Sequence, residues 1–204
     1  MSESDYFLET ERLLLRQFTD ADVDNLFELD SDPAVMRFLN GGEPTPRAVI
    51  EREILPRFLR SYAWNDGYGY WAAIERTTGD FLGWFGFHPA EGANADAHEI
   101  ALGYRLRRAA WGKGYATEGA RALLRKGFDE LGARRVIATT YQDNLASRRV
   151  MEKVGMRLVR TYRITPDELA AAGTFYITAP AIWDGDDVEY ALEKAEWEQQ
   201  DAGG

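Results

Sequence analysis

The hydrophobic patterning predicts an α/β fold in which a mixed, mostly antiparallel central sheet carries helices on both faces. Three observations lead there. Strand-like and helix-like runs alternate along the chain instead of segregating by class. Two aromatic-rich runs, Tyr70 to Arg76 and Phe81 to His88, are separated only by Thr77-Thr78-Gly79-Asp80, as in a hairpin. After Gly114, the apolar residues Ala116, Ala120, Leu123, Leu124, Phe128 and Leu131 recur at helical spacing. With 204 residues, 45% of them apolar, the chain has material for one sizeable core, so a single domain over 1–204 with its core at about 8–195 is expected.

The elements follow in order. Arg12 to Phe18 reads as a strand, and Thr19-Asp20-Ala21-Asp22 as a helix start, with a carboxylate three residues after a hydroxyl. The helix that follows carries Val23, Leu26 and Phe27 on one side and stops at Asp32-Pro33. A second helix is expected from Pro46 to Tyr62, capped by Thr45, with Pro46 at its first position. The hairpin comes next, then the Gly, Ala and Asn-rich loop 89–97, then a strand over Glu99 to Leu106 and the long helix. Val136 to Thr140 reads as a buried strand, and Asn144 to Val154 as a helix capped by Asn144 and ended by Gly155. Arg157 to Ile164 gives a strand, Pro166 to Ala172 a helical turn, and Phe175 to Ile182 and Val188 to Leu192 two final strands.

Composition removes several classes of function. There is no cysteine and there are only two histidines, so a thiolate nucleophile, a disulfide scaffold and a histidine-bound catalytic zinc all lack their residues, and no metal is expected. A net charge of −10 and the lack of a basic, aromatic stripe oppose nucleic-acid binding and suit a cationic partner. The start MSESDYFLETERLLLRQ has no basic region leading into an apolar stretch, and no run approaches the roughly 18 apolar residues of a membrane span. A cytoplasmic location without membrane contact is expected.

The informative segment is Trp111-Gly112-Lys113-Gly114-Tyr115-Ala116-Thr117-Glu118, which passes from a strand into a helix through two glycines. Such a turn presents backbone N–H groups at the positive end of a helix and lets an anion come close. A mononucleotide loop needs Ser or Thr after Gly-Lys, where Gly114 stands; a dinucleotide fingerprint needs glycine where Thr117 stands. Neither pattern fits.

Together with Gly103-Tyr104-Arg105-Leu106, Leu8-Glu9-Thr10-Glu11-Arg12-Leu13-Leu14-Leu15-Arg16, and the run from Asn144-Leu145-Ala146-Ser147 to Val154-Gly155-Met156, this segment resembles the GCN5-related N-acetyltransferase superfamily. More narrowly, it resembles the branch containing the bacterial ribosomal-protein acetyltransferases. The resemblance spans about residues 8 to 160 in register. It implies that the parallel strands at Glu99 to Leu106 and Val136 to Thr140 splay apart to receive acetyl-CoA. The backbone of Gly112, Lys113, Gly114, Tyr115, Ala116 and Thr117, entered through Trp111, would bind the pyrophosphate. Pantetheine would pair with the strand at Tyr104, Arg105 and Leu106.

For the chemistry, the resemblance points to Asn144 as a coenzyme contact and to Ser147 as a hydrogen-bond donor to the coenzyme sulfur; both also suit helix capping. Relatives often carry a tyrosine where Met151 stands and a carboxylate where Ala101 stands. Glu99, on the same face of the strand as Ala101 and Gly103, is the candidate base, acting directly or through water, and equally suits a solvated strand end. A backbone N–H near Tyr104 or Arg105 would hold the oxyanion. The expected activity is acetyl transfer to the primary amine of a small molecule or a protein N-terminus by direct attack. A catalytically silent acetyl-CoA sensor is the other reading. The segment 164–187 would serve as substrate lid or homodimer contact.

Overall fold

The computed structural model describes residues 6–64, 67–90, 98–163 and 185–201. Over these, one sheet contains β1 (Leu8–Glu9), β2 (Leu13–Gln17), β3 (Gly69–Glu75), β4 (Phe81–Pro89), β5 (Glu99–Leu106), β6 (Arg135–Tyr141), β7 (Arg157–Tyr162) and β8 (Asp187–Glu193). Their spatial order is β1-β2-β3-β4-β5-β6-β8-β7. Neighbours are antiparallel except β5 and β6, which are parallel, so the mixed, mostly antiparallel sheet is as the patterning predicts.

Helices cover both faces. Helix α5 (Tyr115–Asp129) and α6 (Leu145–Lys153) sit on one face, where Leu123, Leu124, Phe128 and Met151 join Phe85, Phe87, Ile100 and Leu102 in one buried cluster. On the other face lie α1 (Val23–Ser31), α2 (Pro33–Asn40), α3 (Arg47–Val49) and α4 (Leu55–Ser61), which enclose a second cluster of Leu26, Leu29, Met36, Phe58, Tyr70 and Trp84. Phe58 stacks on Tyr70 with centroids 4.3 Å apart, and Trp84 meets Phe58 edge-on at 5.5 Å, the offset and edge geometries that aromatic quadrupoles favour. The buried tryptophans Trp71, Trp84 and Trp197 are core residues; Trp183 lies outside the described residues.

Several local readings are corrected. Asp32-Pro33 ends α1 but also starts α2: the Asp32 side chain accepts the Ala34 N–H at 2.8 Å and Pro33 occupies the first helical position, so a further helix follows where the sequence reading gives only a stop. The second expected helix is α3, a π-helical run Ile50–Ile54, and α4 end to end, with Pro46 at the cap position rather than inside. Pro56 offers no N–H to the turn before it, and the ladder widens there, Leu55 N–H reaching Ile50 O. Thr45 is buried and gives its N–H to Asp30 O at 3.0 Å instead of capping. A last helix, α7 (Lys194–Asp201), was not foreseen. The helical turn at 166–172, the strand at 175–182 and most of the 164–187 segment lie outside the described residues.

Glycines in α5 bring the helix onto the sheet. A Cβ at Gly119 would lie 2.3 Å from the Phe85 ring, and one at Gly127 2.5 Å from Phe87, both rings fully buried. Gly119→Ala therefore overpacks a closed core; despite the better helix former, we expect unfolding free energy to fall by about 1–3 kcal/mol, read as a lower urea midpoint at unchanged slope.

Candidate active site

The parallel pairing of β5 with β6 covers only Glu99↔Arg135, Ile100↔Val136 and Ala101↔Ile137. Beyond it, β5 keeps its pairing with β4 through Leu106↔Gly83, and β6 keeps its pairing with β8 through Tyr141↔Asp187. The sheet thus opens into a wedge, with the edge of β5 from Leu102 onward free of a strand partner. Gly83 holds the outer side of β5 tight: a Cβ there would lie 2.1 Å from Arg105 O.

At the wide end, β5 leads through a short 3₁₀ turn, Arg108–Ala110, into the glycine loop. The Trp111 indole N–H donates to Leu106 O at 2.8 Å and closes this turn. Gly112 and Gly114 have φ of 72° and 87°, the left-handed region open to glycine, and no side chain caps α5. The first-turn N–H groups therefore point out of a 15-residue helix without a side-chain acceptor. Nothing lies within 4 Å of where a Gly112 Cβ would be, so an anion can reach the backbone there. These residues fit a diphosphate.

A clamp from the far end of the sheet fixes this loop. The Arg12 guanidinium donates to Lys113 O at 2.9 Å and to Glu118 Oε2 at 2.7 Å, and lies over the Tyr115 ring. Glu118 Oε1 accepts from Thr10 Oγ1 at 2.6 Å and from Arg12 N–H at 2.9 Å, while the Tyr115 hydroxyl donates to Glu75. Sequence reasoning matched Leu8 to Arg16 and the glycine loop as separate motifs; the structure joins them.

On the α6 side, Tyr104 projects from β5 to place its hydroxyl 3.0 Å from Ser147 Oγ and 3.1 Å from Ser147 O. Burial pushes the phenol pKa up to about 12, partly opposed by the bond to Ser147. Asn144 caps α6 as predicted, its Oδ1 accepting Ser147 N–H at 3.3 Å, and its amide donates to Thr140 Oγ1 at 3.0 Å. Tyr104, Asn144 and Ser147 thus come together. Ala116 and Thr117 lie in the first turn of α5. Met151 is buried core.

Other candidate residues point elsewhere. Glu99 sits at the closed end of the wedge with Oε2 3.1 Å from Arg135 Nε. Arg105 turns its side chain to the opposite face, over Trp84, where it pairs with Asp30 at 2.6 Å; the Asp30 carboxylate is buried and its Oδ1 has no hydrogen-bond partner. Arg107 likewise turns toward α1 and donates to Glu28 at 2.8 Å. Among the described residues no cluster of three His, Cys, Asp or Glu side chains could hold a metal, and no helix is long and apolar enough to cross a membrane.

Burial works against ionised Glu118, but the hydrogen bonds from Thr10 and Arg12 outweigh it and hold its carboxyl below the ordinary 4.5. A depressed folded pKa stabilises above the unfolded value and loses that contribution as pH falls through the folded one. Amide exchange at Gly114 to Glu118 should accordingly accelerate, beyond its intrinsic pH dependence, as pH drops below 4.5. Glu118→Gln should abolish this extra acceleration; an unchanged profile in that variant would show that Glu118 does not hold the loop.

The sequence matches the acetyltransferase (GNAT) domain family over residues 12–157. It is 38% identical to the uncharacterized protein YkkB of Bacillus subtilis, over 76% of this chain and 88% of that protein. It is 32% identical to the FsC-acetyl coenzyme A-N(2)-transacetylase of Aspergillus fumigatus, over 83% of this chain and 68% of that one. Among solved structures it is similar to a GNAT-family acetyltransferase from Bacillus anthracis, with a TM-score of 0.73 and 26% identity over 92% of this chain and 98% of that one. The family match spans both the wedge and the glycine loop, and the chain belongs to the GNAT family of acetyltransferases, enzymes that use acetyl-CoA.

Proposed function

We propose that this chain transfers acetyl from acetyl-CoA to a primary amine by direct attack, with both substrates held at once in the wedge. The observation that carries this is the free edge of β5, which leads through the 3₁₀ turn and the glycine loop to a helix N-terminus with no side-chain cap. In this reading the backbone of Gly112 to Thr117 holds the pyrophosphate, with Trp111 shaping the entry, and the backbone of Tyr104, Arg105 and Leu106 pairs with the pantetheine amides. Asn144 and Ser147 line the opposite wall. Bound acetyl-CoA supplies an activated acyl carbon and a thiolate leaving group.

What the protein adds is position and polarity. Holding two reactants in attack geometry supplies much of the rate acceleration by itself. A β5 backbone N–H near Tyr104 would stabilise the charge that develops on the carbonyl oxygen. An amine must be neutral to attack, and a lysine-like amine has a pKa of about 10.4 in water. We assign its proton to Glu99 acting through water: this carboxylate lies on the same strand face as Ala101 and Gly103 and pairs with Arg135 at 3.1 Å.

The acceptor is the amine of a small molecule or a protein N-terminus; the fungal relative's name specifies an N(2) acceptor, which supports the former. A net charge of −10 favours a cationic acceptor. The resemblance of the chain's motifs to those of ribosomal-protein acetyltransferases favours the latter.

Three experiments test the reading. Incubation with acetyl-CoA and a panel of peptide N-termini, polyamines, aminoglycosides and amino acids should release free thiol with at least one. Tight binding with no turnover on any would favour the sensor. Gly114→Ala forces a side chain into a left-handed position, a strain of about 1–2 kcal/mol, so the Kd for acetyl-CoA should rise about tenfold; an unchanged Kd would remove the loop from the site. Glu99→Gln should lower kcat/KM about tenfold or more at unchanged acetyl-CoA affinity, and full retention of activity would exclude Glu99 from the mechanism.

A further inference from the structure

We propose that Tyr104 is a positioning residue that orients the Ser147 hydroxyl toward the coenzyme sulfur, taking over from β5 a task that no side chain on α6 performs at Met151. The inference rests on the reading that the coenzyme lies in the wedge. It goes beyond that reading in assigning a task to the phenol itself.

The geometry is specific. The Tyr104 hydroxyl lies within hydrogen-bond distance of both Ser147 Oγ, at 3.0 Å, and Ser147 O, at 3.1 Å. It has one hydrogen and two acceptors. When the phenol donates to the carbonyl, the Ser147 hydroxyl turns its own hydrogen back onto the phenol oxygen. When the phenol donates to Oγ, the Ser147 hydrogen is released to face another acceptor. An arriving sulfur is such an acceptor, so ligand entry and donor reversal belong together. On the far side, Asn144 fixes the Ser147 backbone and is itself tied to Thr140 on β6. A chain of hydrogen bonds therefore crosses the wedge from β5 through α6 to β6, and Ser147 is its central member.

The phenol is suited to this part because burial keeps it protonated until about pH 12, so it remains a donor throughout the working range. It is for the same reason a poor proton source, and the step needs none from it. The amine nitrogen bonds to the acyl carbon, the carbon–sulfur bond breaks with its electron pair on sulfur, and the amine proton passes through water to Glu99. Ser147, held by Tyr104, donates a hydrogen bond to the departing thiolate, which takes a proton from water on release.

Calorimetry of the full chain with coenzyme A and with desulfo-coenzyme A, which lacks only the sulfur, separates the possibilities. A hydrogen bond of this kind corresponds to about a two- to tenfold preference for coenzyme A in the unaltered protein. Tyr104→Phe should bring that ratio to one while leaving desulfo-coenzyme A affinity unchanged and lowering the melting temperature by no more than the few degrees that a lost hydrogen bond costs. Ser147→Ala should do the same, and the double variant should match either single one. A ratio preserved in Tyr104→Phe overturns the proposal, as does loss of desulfo-coenzyme A binding in that variant, which would mark a merely structural role. Equal affinity for the two ligands in the unaltered protein overturns it too, with the wedge reading intact. Failure of both ligands to bind the unaltered protein would instead overturn the wedge reading itself.

Discussion

β5 and β6 share three residue pairs and then separate, each continuing with a different antiparallel partner. A parallel pair inside an otherwise antiparallel sheet is held by the strands flanking it, and here both flanks are fully paired while the middle is not. Apart from Leu106 O, which accepts the Trp111 indole N–H, the open edge of β5 has no strand to pair with, and a buried peptide group without a hydrogen bond is costly. In the proposed reading, the amides of an extended ligand satisfy that need. The wedge is thus a gap that the sheet's own hydrogen bonding asks to have filled.

Placing the proposed anion-binding loop at the mouth of this gap in a protein of charge −10 requires local compensation. Two carboxylates, Glu75 and Glu118, stand beside the loop, and a bare negative charge there would repel a diphosphate. Arg12 pairs with Glu118, reaches Lys113 O, and covers the Tyr115 ring that in turn binds Glu75. One guanidinium neutralises a carboxylate and orients a loop carbonyl, leaving the helix N–H groups directed outward. Arginine suits this because its planar fork serves several acceptors at once.

The two sheet faces divide the remaining work. The α5 face is close-packed, with glycines admitting phenylalanine rings against the helix, and gives the loop a rigid base. The opposite face, under α1 to α4, is an aromatic cluster whose buried ion pair between Arg105 and Asp30 ties the splayed half of β5 to α1. Alternation along β5 sends Tyr104 to one face and Arg105 to the other, so adjacent residues of one motif have separate tasks.

By itself the sequence determined the order and type of most elements and the glycine loop, because these depend on local periodicity and on backbone conformations that particular residues permit, whereas the parallel strands came from the family resemblance. The ends of β5 and the Asn144 cap were legible for that reason. Tertiary structure alone decided which residues meet. Arg12 and Glu118 are 106 positions apart, Tyr104 and Ser147 43, and Arg105 and Asp30 75; no local pattern records such pairs. The helix α2 was hidden because Asp32-Pro33 signals an end and a beginning equally well. Where the parallel ladder stops was likewise not written in β5 or β6, since it depends on how the strands on either side of them pair.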